Sequence, residues 1–120
     1  MINRKQINIE QAKYAVKSGE FDKDVIASKN KVILVLTQDW CSQWRSMKGW
    51  IYDMETAEDI DIYEFEYNKT DYFDEFLSFK ESHWKNDQVP YLRFYRDGAF
   101  IRDTNYISRS TFTEILGLED

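Results

Sequence analysis

Apolar and polar positions along the chain fall into short blocks of alternating period. Val32-Ile33-Leu34-Val35-Leu36 is an unbroken apolar run between Lys31 and Thr37. A run of this length and β-branched content predicts a strand over Lys31 to Thr37, covered on both faces. Upstream, Ile9, Ala12 and Val16 recur at helical spacing, with Asn8 as N-cap and Gly19 as stop. Phe21 to Ser28 predicts a second helical piece. Downstream, the stripe Trp44, Met47, Ile51 and Met54 predicts an amphipathic helix from Ser42 to about Glu55. Ile60 to Tyr67 alternates, with a phase slip near Tyr63, and predicts a strand partly buried on both faces. Asp71 to Trp84 predicts a helix with an aromatic face from Phe73, Phe76, Leu77 and Phe79. After Val89-Pro90 come a strand from Tyr91 to Arg96, a hairpin turn at Asp97-Gly98, a return strand from Ala99 to Tyr106, and a helix from Ser108 to Leu116. The order α, β, α, β, α, β, β, α makes the first two strands parallel and the last two an antiparallel hairpin.

The 120 residues fit one domain, 1–120, whose first 19 read as an N-terminal helical extension. A net charge of −6 argues against nucleic acid or an anionic membrane as the main partner. No stretch reaches the roughly 18 apolar residues of a membrane span. Met1 to Gln11 is polar and lacks the apolar core of a signal peptide. The one cysteine, Cys41, has no internal partner for a disulfide, which fits a reducing compartment; a cytoplasmic location is the expectation. Aromatics at 17% are high, so some are expected to pack in the core and some to line a surface.

The chemistry concentrates at Trp40-Cys41-Ser42-Gln43-Trp44, directly after the apolar strand and at the start of the next helix. A dithiol C-x-x-C motif would place a second cysteine at position 44, where this chain has Trp44. Four landmarks in order resemble the thioredoxin family over about residues 20 to 118. They are Phe21-Asp22 with Asp24-Val25, the strand Val32 to Leu36 followed by Trp40-Cys41, Val89-Pro90, and Phe94-Tyr95-Arg96-Asp97-Gly98. The resemblance implies a thioredoxin-like α/β fold: a mixed sheet of four or five strands with helices on both faces. It further implies that Cys41 opens the second major helix, and that Val89-Pro90 is the cis-proline facing it. The Val89 backbone would then hold an extended peptide.

The departures cluster around that same surface. Besides Trp44, the usual Gly-Pro between the cysteines is Ser42-Gln43. The family's buried acid aligns with Val35, and its partner lysine with Glu64. Gln88 and Tyr91 flank Val89-Pro90 where the family has smaller residues, and a groove-opening glycine falls near Tyr106. The site predicted from the resemblance is Cys41 as nucleophile, with Trp40, Ser42, Gln43, Trp44, Val89, Pro90, Tyr91 and Tyr106 around a substrate groove.

Each residue also has a plainer reading. At a helix N-terminus, free N–H groups and the helix dipole stabilise a thiolate, and Arg45 adds positive charge. Asp39 and a desolvating Trp44 oppose this, so Cys41 is either a reactive monothiol or an inert, half-buried cysteine. Trp44 lies on the core stripe of its helix, which favours packing over recognition. Tyr91 and Tyr106 are either ordinary strand tyrosines or, with Trp40 and Trp44, binding anchors. Glu64 and Arg93 are either an ion pair beneath the active turn or two exposed charges. The lone His83 has no cysteine or carboxylate spacing that suggests a metal, and no cofactor is expected.

Without a second thiol, a mixed disulfide at Cys41 needs an external thiol for release. Ordinary dithiol reduction is excluded, and glutathione remains a candidate co-substrate. Two functions follow: a monothiol thioredoxin-like protein in redox homeostasis, or a redox-inactive module binding a protein or peptide partner through the same groove. Exposed sulfur beside an open groove would favour the first. Buried sulfur beneath a sealed groove would favour binding elsewhere or a structural role.

Overall fold

The computed structural model describes residues 1–118. The unbroken apolar run becomes β2 (Lys31–Thr37), with all of its residues buried. It lies at the centre of a five-stranded sheet of order β1-β3-β2-β4-β5. β3 (Ile60–Glu66) flanks it in parallel and β4 (Tyr91–Arg96) antiparallel. β5 (Ala99–Thr104) closes one edge against β4, and β1 (Ile2–Gln6) closes the other, parallel to β3.

Side chains alternate across this sheet and build two cores. On one face, Val32, Leu34, Leu36, Tyr63, Phe65, Tyr91 and Tyr95 pack with residues of α1 (Ile9–Ser18), the short α2 (Lys23–Ile26) and α4 (Phe73–Ser82). On the other, Ile33, Val35, Ile60, Ile62, Leu92 and Phe94 pack with α3 (Ser42–Ile51) and α5 (Arg109–Leu116). α1 starts at a reciprocal capping box between Asn8 and Gln11 and stops at Gly19 in the left-handed region (φ 86°). Asp97 and Gly98 both take positive φ (53° and 76°), the backbone that a two-residue hairpin with matched strand twist requires.

The N-terminus departs from the helical extension expected over residues 1–19. Only Ile9–Ser18 is helical there, and Ile2–Gln6 is an edge strand. Four of its five residues are polar, so no apolar alternation marks it. It is held by its backbone register with β3 and by charge. Lys5 reaches Asp61 at 2.9 Å, and Arg4 reaches Glu64 at 2.5 Å. Both carboxylates are buried, and Asp61 also accepts from Ser28 and Asn3. Burial pushes the Asp61 carboxyl up, but these three donors outweigh it and hold the group below its ordinary range.

Several boundaries also move. α3 ends at Ile51, short of Glu55, and α4 is two residues shorter at each end than the stretch from Asp71 to Trp84. β5 ends at Thr104, where its pairing with Leu92 stops. Asn105 then donates to the Pro90 carbonyl at 3.0 Å, which leaves Tyr106 in a connecting loop.

Neither reading of Glu64 and Arg93 holds. Both are buried, yet they face opposite sides of the sheet, because Glu64 shares the register of Val35 and Arg93 that of Leu34. Glu64 belongs to Arg4 and to the Tyr52 hydroxyl. Arg93 donates to Glu20 at 2.7 Å and to the hydroxyls of Tyr95 and Tyr91, each at 2.8 Å. Its guanidinium lies between the rings of Trp84 and Phe100, 4.3 and 4.1 Å from their centres. Deleting one partner of such a cluster leaves buried charge uncompensated. Arg93→Met is expected to cost about 3 kcal/mol in urea unfolding. Arg93→Lys should recover less than half of the loss, because an ammonium lacks the planar fork. A loss below about 1 kcal/mol for the Met variant would reduce the cluster to a surface-type ion pair.

The same cluster sets an alkaline limit. Burial, against the pull of Arg93, holds the Tyr91 phenol up at about 12, above its ordinary value of 10.0. An unfolded tyrosine ionises first, so this group's stabilisation is complete below pH 10 and is lost as pH rises through 12. Tyr91→Phe should therefore lose less stability than the parent between pH 10 and 12. Equal slopes in chemical unfolding across that window would contradict it.

Candidate functional site

β2 delivers the chain to a braced loop. The Asp39 N–H donates to the Asn68 side-chain oxygen at 3.0 Å, and the Asn68 amide donates back to Asp39 at 2.6 Å. The Trp40 indole N–H donates to Gln38 at 2.6 Å, and the Gln38 amide reaches the Tyr67 hydroxyl at 3.3 Å. Trp40 is thereby fixed by its edge, with 60% of the residue exposed.

Cys41 is the N-cap of α3. Its backbone is extended, and its Sγ accepts the Trp44 N–H at 3.4 Å. The residue is only 3% exposed and packs into the α3/α5 core. Trp44 is buried with it, edge-on to Tyr52. Among the described residues, the Trp44 Nε1 is the one buried side-chain nitrogen or oxygen without a hydrogen bond. Beneath the turn, Val35 stands opposite Glu64 in register, so a carboxylate is present on the neighbouring strand. Arg4 and Tyr52 hold it. Burial and the bond to Glu64 push the Tyr52 phenol well above its ordinary value.

A cleft of about 390 Å³ opens above Cys41. Trp40, Cys41, Ser42 and Gln43 form one wall. Leu77 and Glu81 of α4, with Asp87, Gln88 and Val89, form the other. The Val89–Pro90 peptide bond is cis, and Pro90 is buried. Neither the Val89 N–H nor its carbonyl takes part in the backbone hydrogen bonds of the described residues.

The cleft thus gathers Trp40, Cys41, Ser42, Gln43 and Val89 from the predicted groove. It does not gather the others. Trp44 points into the core, on its helix stripe. Tyr91 lies in the α1/α4 core, on the sheet face opposite Cys41 and Trp44, where its hydroxyl accepts from Arg93 and donates to Asp103 at 2.8 Å. Tyr106 is about half exposed, outside the cleft lining.

Sequence reasoning missed Lys80, which supports the far wall. This lysine is fully buried. Its ammonium donates to the carbonyls of Gln88 and Asn86, at 2.8 and 2.9 Å, and lies 5.5 Å from the Tyr91 ring centre. One signal was available: Lys80 falls four residues after Phe76, inside the aromatic stripe of α4, where a charge needs a buried partner.

Compared with solved structures, the chain has the fold of thioredoxins. Thioredoxin O1 from Arabidopsis thaliana, in its oxidized state, superposes with a TM-score of 0.67 and 14% identity, over 96% of this chain and 96% of that one. Thioredoxin F from spinach chloroplast gives 0.64 and 14%, over 96% and 91%. Trxlp from Edwardsiella tarda gives 0.60 and 15%, over 95% and 98%. The chain is a thioredoxin-fold protein whose single cysteine, Cys41, caps the helix that follows β2. No protein-family model matches the sequence. No curated protein sequence matches it either. No helix among the described residues is long and apolar enough to cross a membrane.

Burial pushes the Lys80 ammonium down to about 8, against the raising pull of Glu81 and Asp87. An unfolded lysine keeps its proton to about 10.4. Between these values the unfolded chain holds one proton more, so through this group rising pH favours the folded state. Locally, the neutral amine has one donor fewer for the carbonyls of the wall. The Lys80 side-chain resonances, and the amides from Asn86 to Val89, should titrate together with a midpoint of about 8, read by NMR. Lys80→Met should abolish that inflection. A Lys80 midpoint near the ordinary value of 10.5 would show that the ammonium is solvated.

Proposed function

We propose that this protein is a thioredoxin-fold binding module whose cleft receives an extended segment of a partner protein. The observation that carries this reading is the contrast at the active-site turn. The cleft is open and presents Trp40, while Cys41 is withdrawn into the core as a helix cap and position 44 is a buried tryptophan. Buried sulfur beside an open groove is neither of the two combinations expected from sequence, and it favours recognition over thiol exchange. The unpaired Val89 peptide groups support an extended ligand, since a peptide strand binds by main-chain hydrogen bonds at such an edge. Trp40 would supply the apolar anchor. With its single cysteine, the module is proposed to work in the cytoplasm.

One observation favours a second reading. Cys41 still lines the cleft at a helix N-terminus. Its thiolate could attack oxidised glutathione, breaking that S–S bond, forming a protein–glutathione disulfide and releasing glutathione thiolate. An external thiol would then reverse the step. This is the monothiol role, and it requires the sulfur to be reachable in the folded state.

The two readings separate in paired experiments. Peptides selected from a random heptapeptide phage library should shift the amides of Ser42, Gln43 and Val89 in an NMR titration, and Trp40→Ala should weaken them. Cys41→Ser should leave that binding within about twofold. Mass spectrometry after incubation with oxidised glutathione should show native protein reacting far more slowly than protein in urea. No selectable peptide, or shifts confined to another surface, would overturn the binding reading. Glutathionylation as fast in the native state as in urea would put the monothiol reading in its place.

A further inference from the structure

We infer that the segment received by the cleft carries a cationic side chain, lysine or arginine, which seats against Trp40 between the carboxylates of Glu81 and Asp87. The inference rests on the binding reading above and names its partner class.

The lining is chemically one-sided. Its charged residues are Glu81 and Asp87, and it holds no lysine or arginine. Neither carboxylate is in an ion pair or a side-chain hydrogen bond among the described residues, although seven ion pairs occupy other parts of the chain. Both feel the charge of Lys80, but that ammonium is buried behind the wall and its donors go to the carbonyls of Asn86 and Gln88. The two acids therefore face solvent across the cleft with their hydrogen-bonding capacity unspent.

The opposite wall supplies the matching surface. Trp40 is more than half exposed, and its one polar atom is already bonded to Gln38. What remains for a ligand is the π-system, and indole is the aromatic ring that attracts cations best. Gln43 and Gln88 add neutral amides at the same cleft, able to accept from an ammonium or guanidinium. An acidic segment would meet two like charges here, and like-charge juxtaposition is a strong means of rejecting a partner. A purely apolar segment would leave both carboxylates desolvated without partners. The net charge of −6 draws the same class of partner at long range.

The test uses the whole chain and four amidated, acetylated heptapeptides that are identical except at their centre: arginine, lysine, norleucine or glutamate. Binding is followed by amide shifts at Ser42, Gln43 and Val89. The arginine and lysine peptides should bind about tenfold more tightly than the norleucine peptide, and the glutamate peptide more weakly still. Glu81→Gln with Asp87→Asn should bring the cationic and norleucine peptides to within about twofold of each other, as should raising the salt concentration. If all four peptides bind this surface equally, the charge inference fails and the binding reading stands. If none shifts these amides at millimolar peptide, both fail. A tenfold preference that survives the double substitution would overturn the assignment to Glu81 and Asp87.

Discussion

Arg93 introduces a permanent positive charge into a sheet face made largely of aliphatic and aromatic groups, and residues from several segments are arranged to satisfy it. A guanidinium stays charged when buried, so it needs acceptors in the plane of its fork and polarisable surface above and below. The acceptors come from Glu20, before α2, and from Tyr91 and Tyr95, on the same strand. The faces come from Trp84, just beyond α4, and Phe100, on β5. Segments far apart in sequence thus meet at one side chain. Tyr91 follows the cis-proline directly, so the charge also helps to fix the strand from which the cleft wall departs.

That arrangement explains why part of the predicted groove is absent from it. Tyr91 was expected beside Trp40 because it stands one residue after Pro90. Strand alternation and the pull of Arg93 turn it to the α1/α4 face, where its hydroxyl is used twice. Nothing local to Tyr91 announces this, since the partner charge lies two residues on and Asp103 lies across the hairpin. Trp44 was legible by contrast: its helical stripe with Met47 and Ile51 is local, and the core reading followed from period alone. Cys41, Trp40, Ser42, Gln43 and Val89 meet at the cleft because each belongs to a turn or helix start close to a strand that the hydrophobic pattern already marked.

Legibility fails in the same way at the N-terminal edge. β2, β3 and β4 could be read because burial demands apolar residues, and apolar residues repeat with a period. β1 carries Asn3, Arg4, Lys5 and Gln6, and its place is set by acids on β3. A basic strand beside buried acids shows its meaning only when both are seen together. Asp61 and Glu64 are similarly opaque alone, looking like solvated charges within an alternating strand. Charge complementarity between distant segments is therefore the part of this fold that periodicity does not carry. Lys80 is a partial exception, because a lysine within an aromatic helical stripe breaks the pattern visibly.

At Cys41 a cysteine serves as the cap of α3, and two opposing effects decide how well it suits that place. Sulfur is a weak acceptor, and at 3.4 Å from the Trp44 nitrogen it caps α3 less effectively than a serine or aspartate would. Burial favours it nonetheless. The side chain packs in an apolar cluster with Val35, Trp44 and Met47, where a thiol behaves as a small hydrophobe and a carboxylate would be strongly disfavoured. Serine exchanges a better cap for a more costly buried hydroxyl, and the two effects oppose each other at similar magnitude. A cysteine here is thus explained by packing and capping together, with no call on its nucleophilicity. Trp44 packs in the same cluster, at the position where a C-x-x-C motif would carry its second cysteine, while the cleft above Cys41 is open.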